Sequence, residues 1–178
     1  MTQTWPWREL VILDDRSSPS FPEAPEIPGC SYYLMERTLS IGAKRNLAVS
    51  RSRGQIIAHW DDDDHSDPER IEDQVRRLLE SGADVTGYSS MWFTDGRRDW
   101  LYEAGPSQPG YCLGTSLMYR RSYWRAHPFP DVLAGEDNAF IAPARAAKKI
   151  AAVPANGMMV ATVHTGNTSR REFLCTTA

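Results

Sequence analysis

The residues with the most chemistry to offer are acids. Asp61, Asp62, Asp63 and Asp64 follow the apolar run 55–60 (QIIAHW), so four carboxylates stand at the carboxyl end of an expected strand. Ligands of open α/β sheets bind at that rim. Two like charges about 6 Å apart repel by roughly 3 kcal/mol at an effective dielectric of about 20. Four in succession call for exposure, a raised pKa or a bound cation. Alternating carboxylates in an extended turn can aim two oxygens at one hard divalent ion. Mg²⁺ or Mn²⁺ takes such oxygens and can hold a diphosphate as well. A solvated loop capping the next helix is the plainer reading of the same run.

Other groups can join this chemistry. Asp14 and Asp15 end a second apolar run, 9–13 (ELVIL). Glu136 and Asp137 open an alanine-rich stretch, where a helix N-terminus favours acids in any case. Lys44 and Arg45 carry cations suited to phosphate oxygens, or to a solvated helix face. His164 stands after the last apolar run, as a ligand or as a structural histidine. Trp92, Trp100, Tyr102 and Trp124 can stack on sugar rings or fill a core.

These groups must be positioned by elements. The pattern predicts strands over 9–13, 31–35, 55–60, 85–93, 100–102, 112–120 and 158–163. It predicts a Ser- and Pro-rich loop over 16–29 and a turn at Asp95-Gly96. Helices are expected over 41–53 and 136–149, the second with Pro143 as a candidate break, and a helical turn over 122–126. The best-signalled helix starts at the capping box Ser66-Asp67-Pro68-Glu69 and carries Ile71, Val75, Leu78 and Leu79 on one face before Gly82. Alternating strands and helices in the first half imply α/β architecture with parallel strands; the second half reads as more mixed.

With the elements in order, the chain resembles family 2 glycosyltransferases of the GT-A fold. Trp60 and the four aspartates after Ile56-Ile57-Ala58 resemble the family's D-x-D strand end. Residues 10–17 (LVILDDRS) resemble the strand whose aspartates meet the nucleotide base, and 42–46 (GAKRN) the following helix start. Residues 114–121 (GTSLMYRR) with Gly135-Glu136-Asp137 resemble the acceptor-side strand and acidic pair; 164–168 (HTGNT) resemble a C-terminal His segment. The resemblance spans about residues 3–169. It implies a three-layer α/β sandwich on a mostly parallel sheet. The implied reaction is inverting transfer from a nucleoside-diphosphate sugar, a UDP-sugar foremost, to a saccharide or other hydroxyl acceptor, with Mn²⁺ or Mg²⁺.

The same resemblance implies roles. Asp14, Asp15, Lys44, Arg45, Asp61 and Asp62 would hold the nucleotide sugar. Asp63, Asp61 and His164 would hold the metal, the alternative D-x-D register being Asp62 and Asp64. Asp137 would take the acceptor's proton, with Glu136 sharing the task or orienting the acceptor. The family's first strand, central between those resembling 9–13 and 55–60, has no counterpart here, so the domain over 1–178 reads as N-terminally incomplete. Arg16 stands where the family has glycine.

Composition narrows the rest. Twenty Lys and Arg against 23 Asp and Glu give a net charge of −3, against a nucleic-acid partner. Cys30, Cys112 and Cys175 form no C-x-x-C pair, which suits free thiols in a reducing cytoplasm, with the inner membrane face as a peripheral variant of that location. The uncharged stretch 150–169 holds Pro154, Asn156, Gly157 and His164 and is no membrane span. The DDxxD pattern of isoprenoid synthases belongs on a helix and fits poorly after a strand. A nucleotidyltransferase would bring a Gly-rich phosphate loop. A non-catalytic nucleotide-binding remnant of a glycosyltransferase is the remaining alternative.

Overall fold

The computed structural model of the protein describes residues 2–15 and 26–167. Arg16, most of the 16–29 loop, Cys175 and the end of the His segment lie outside the described residues. The order is β1 (Leu10–Asp14), β2 (Cys30–Leu34), α1 (Ile41–Arg51), β3 (Ile56–Ala58), β4 (His65–Ser66), α2 (Arg70–Glu80), β5 (Val85–Thr94) and β6 (Asp99–Glu103). A 3-10 turn (Gly114–Ser116), β7 (Met118–Arg120), α3 (Arg121–Ala126), α4 (Glu136–Ala146), β8 (Ile150–Pro154) and β9 (Met159–Thr162) follow.

The long strand β5 organises the main sheet. One of its edges carries β7 and then β6, both antiparallel; the other carries β8 and then β9, both parallel. Beyond these, β3 pairs with β7 and β4 with β9, both antiparallel. The sheet is therefore mixed, not mostly parallel. The reason is local: β3 ends at the rim and β7 starts there, with Ala58 opposite Met118, so the two must run in opposite senses. β8 was absent from the expected strands. Its sequence, IAAVP, offers small residues and a terminal proline, and only its place beside buried β5 makes it a strand.

The sequence also predicts one strand over 112–120, but Gly114–Ser116 coil into the 3-10 turn. Ser116 replaces ladder bonds with its hydroxyl, which donates to Leu113 O (2.7 Å) and accepts from Tyr88 N (2.8 Å). Pro143 stays inside α4, which ends at Ala146 before Lys148 enters the left-handed region.

The expected capping box of α2 does not form. Ser66 Oγ instead accepts from Arg70 Nη1 (2.9 Å), and Asp67 Oδ1 accepts from Glu69 N (2.8 Å). The free N–H of Ile71 is taken by Gln3, whose Oε1 accepts it at 3.0 Å while its Nε2 donates to Asp67 O at 2.7 Å. A cap from 68 residues away leaves no local sequence signal. Gln3→Ala should lower unfolding free energy by about 1 kcal/mol, read as a shifted urea midpoint at unchanged slope.

Two apolar clusters meet along β5. One joins Val49, Val85, Leu117, Tyr119, Phe129 and Phe140, with the Phe129 and Phe140 rings stacked at 3.9 Å. The other holds Tyr88, Met91, Phe93 and Met159, against which Trp100 and Tyr102 pack. Trp124 packs on the first cluster and donates Nε1 to Asn46 Oδ1 (2.8 Å), whereas Trp92 is exposed.

β1 and β2 form their own two-stranded parallel sheet. Among the described residues no backbone ladder joins it to β3. Side chains make the link: Glu9 Oε1 accepts from Arg53 N (2.5 Å) and Gly54 N (2.7 Å).

Candidate active site

The site is built along one rim, from β1 round to the segment after β9. Asp14 is buried at the end of β1 and accepts from Tyr32 OH (2.8 Å). Asp15 follows, accepting from Leu39 N (3.3 Å) and pairing with Lys44 Nζ (3.1 Å). Lys44 sits in the first turn of α1, whose start is capped by Ser40 Oγ on Ala43 N (3.0 Å). Gly42 allows that start to pass under the 130–132 loop; a Cβ there would lie 1.8 Å from Pro130 O.

One residue on, Arg45 Nη1 meets Glu136 Oε1 at 2.7 Å in a pair largely closed to solvent. Its guanidinium also lies over Phe129. Asp137, next in α4, is half-buried against the 3-10 turn, its Oδ1 accepting from Asn138 N (2.7 Å). A Cβ on Gly114 would stand 2.3 Å from Asp137 Oδ2, so only glycine lets this wall approach the carboxylate. Thr115 then donates its hydroxyl to Asp64 Oδ2.

The 61–64 turn hangs between β3 and β4 and is held from two sides. Asp64 also accepts from Thr162 N at the end of β9 (2.9 Å). Burial, then the charges of Asp61 and Asp63, raise its pKa against these two hydrogen bonds. Asp63 Oδ2 lies 2.9 Å from His164 Nε2 and 3.3 Å from Asn167 Nδ2. Asp61 is half-buried and Asp62 exposed. The acids expected from sequence thus occupy one continuous rim, linked through Lys44, Arg45, Gly114 and Thr115. Thr115 and Asn167 lie in the family-like segments 114–121 and 164–168 but drew no role from sequence, because their contacts to Asp64 and Asp63 cross between distant elements.

Among the described residues no three His, Cys, Asp or Glu side chains group tightly enough to hold a metal by themselves. The donor set still fits a hard divalent ion that keeps waters and shares phosphate oxygens. Asp63 and His164, now hydrogen-bonded to each other, would be its nearest oxygen and nitrogen donors, with Asp61 on the same turn.

His59 backs the site at the end of β3. Gly114 O can only accept, so Nδ1 carries the proton and donates at 3.1 Å, while Nε2 accepts from Tyr119 OH at 3.2 Å. Burial first, then the nearby Arg45 charge, hold its pKa well below the ordinary 6.5. The unfolded chain therefore binds a proton that the folded chain refuses. Stability should be complete above pH 6.5 and fall as pH drops below it toward the folded value. Urea midpoints measured across that window should fall less in His59→Gln than in the parent.

Comparison with solved structures places the fold. The structure of S. aureus TarS 1-349 in complex with UDP matches with a TM-score of 0.70 at 20% identity, covering 91% of this chain and 54% of that one. The same protein in complex with UDP-GlcNAc matches with a TM-score of 0.72 at 18% identity, covering 97% and 55%. The chain spans about half the length of these structures. The likeness establishes the GT-A fold. No curated protein sequence matches. The sequence profile described as "Glycosyl transferase family 2" matches residues 1–132, most of the chain, and shows that the chain belongs to glycosyltransferase family 2.

Proposed function

We propose that the protein binds a nucleoside-diphosphate sugar, a UDP-sugar foremost, and moves its sugar with inversion to the hydroxyl of a saccharide or other acceptor. The continuous acidic rim carries this reading. Asp14, Asp15 and Lys44 form its base and ribose end, with Arg45 shaping the wall beside it. Asp61 and Asp62 lie nearest the sugar and phosphates. The TarS structures carry UDP and UDP-GlcNAc on the same fold, which supports the choice of nucleotide.

Asp63, Asp61 and His164 are the residues to hold Mn²⁺ or Mg²⁺. The D-x-D register is Asp61 and Asp63, because Asp64 is occupied by Thr115 and Thr162. When bound, the ion would stabilise the departing diphosphate as a Lewis acid. Asp137 takes the acceptor's proton as its oxygen attacks the anomeric carbon. Glu136, tied to Arg45, orients rather than reacts. We place the domain, residues 1–178, in a reducing cytoplasm or at the inner membrane face; no described helix is long and apolar enough to cross a membrane.

A thermal-shift titration with UDP, with and without Mn²⁺, tests the reading. A ligand at 100 times its Kd adds about 2.7 kcal/mol, so a metal-dependent rise in melting temperature is expected. Asp63→Ala should abolish the Mn²⁺-dependent part of that rise. Retained Mn²⁺ dependence would remove Asp63 from the metal site. A second reading, nucleotide binding without transfer, rests on the missing ladder between β1 and β3. Metal-dependent UDP binding with neither donor hydrolysis nor transfer would favour it.

A further inference from the structure

Arg70 is a cation 1% exposed in the first turn of α2. Its hydrogen bonds go to neutral groups: Gln74 Oε1 (3.2 Å), Ser66 Oγ (2.9 Å), His59 O (2.9 Å) and Thr115 O (3.1 Å). Its plane also lies over the Trp60 ring, 4.7 Å from the centroid. A buried guanidinium without a bonded carboxylate is costly. What the partners share is place. His59 and Trp60 lead into the 61–64 turn, Ser66 closes β4 just beyond it, and Thr115 belongs to the wall against which Asp137 rests.

The wall itself is fixed through its carbonyls. Three consecutive ones, Gly114, Thr115 and Ser116, accept from buried His59, Arg70 and Gln74. Among the described residues Arg70 reaches both this wall and the chain on either side of the acidic turn. Its Nη2 spans His59 O and Thr115 O at once. A lysine ammonium keeps the charge but lacks the planar fork that spans two fixed carbonyls while serving Ser66 and Gln74.

We infer that Arg70 is a positioning residue: it registers the 61–64 turn against the Asp137 wall, so that the metal-binding carboxylates and the proton acceptor keep a fixed separation. This rests on the function proposed above. Loss of the fork lets the turn drift while leaving the Asp14, Asp15 and Lys44 end untouched. Arg70→Lys should therefore weaken Mn²⁺ binding by about 10- to 100-fold, the range for losing a group that orients a metal ligand. Metal-free UDP binding should stay unchanged.

Two measurements on the full chain decide it. Mn²⁺ alone is titrated by electron paramagnetic resonance against the parent, Arg70→Lys and Thr115→Val, the last removing the hydroxyl on Asp64. Amide hydrogen exchange is then followed without any ligand. Expected are weaker Mn²⁺ binding in both variants, and faster exchange in Arg70→Lys around residues 59–66 and at Thr162, with β1 and β2 unaffected. A folded Arg70→Lys with parental Mn²⁺ affinity and parental exchange would overturn the inference alone. If the parent fails to bind Mn²⁺, the proposed function falls and exchange by itself judges the positioning role. If Arg70→Lys does not fold, Ser66→Ala, which removes a side-chain partner of Arg70, takes its place: parental Mn²⁺ affinity with parental exchange overturns the inference, and a loss of about 10-fold or more upholds it.

Discussion

Asp137→Asn should keep Mn²⁺-dependent UDP binding and lose sugar transfer by about 10²- to 10⁴-fold, the usual worth of a positioned general base. The change is nearly isosteric. Asn Oδ1 can still accept from Asn138 N, so the start of α4 should survive. What disappears is the capacity to take a proton from the acceptor. The wall opposite offers an independent arm. Gly114→Ala places a methyl 2.3 Å from the present position of Asp137 Oδ2 and must displace the carboxylate without changing its chemistry. Transfer should fall there too, with UDP binding retained. Turnover that survives in Asp137→Asn, measured as released UDP with donor and acceptor present, would strike Asp137 from the mechanism.

The second large effect concerns stability. Arg45→Met should cost about 3–5 kcal/mol, because it leaves the Glu136 carboxylate buried without its partner. Contact with the Phe129 ring is lost as well, though the Met stem replaces part of that packing. The double variant Arg45→Met/Glu136→Gln should recover most of the loss, since no charge is then stranded. Chemical denaturation of the four proteins closes the cycle. Equal destabilisation of single and double variants would show that the pair contributes by shape alone.

The acids were legible because they are exceptional. Four consecutive aspartates after an apolar run admit few placements, and order along the chain tied them to Asp14, Asp15, Glu136 and Asp137. The strands carrying Asp14 and the 61–64 turn, the start of α1 at Ile41 and the turn at Asp95-Gly96 were equally readable, since each is set by its own neighbours. What escaped depends on partners far away. Gln3 caps α2 across 68 residues, Thr115 reaches Asp64 across 51, and Arg70 meets Thr115 across 45. β8 is a strand by virtue of β5, not of its own composition. Strand direction also escaped, because the sense of β7 follows from where the chain last touched the rim.

The two separate sheets of the described residues also divide them mechanically. Among the described residues β1 and β3 share no peptide ladder; the Glu9 carboxylate on Arg53 and Gly54 and the Asp15–Lys44 pair tie the small sheet to its surroundings. A two-stranded ribbon held this way opens at lower free energy than the seven strands behind it. The Asp14 and Asp15 end of the rim is thus expected to be the compliant half and the 61–64 turn the stiff half. A diphosphate that grips both would act as mortar between them.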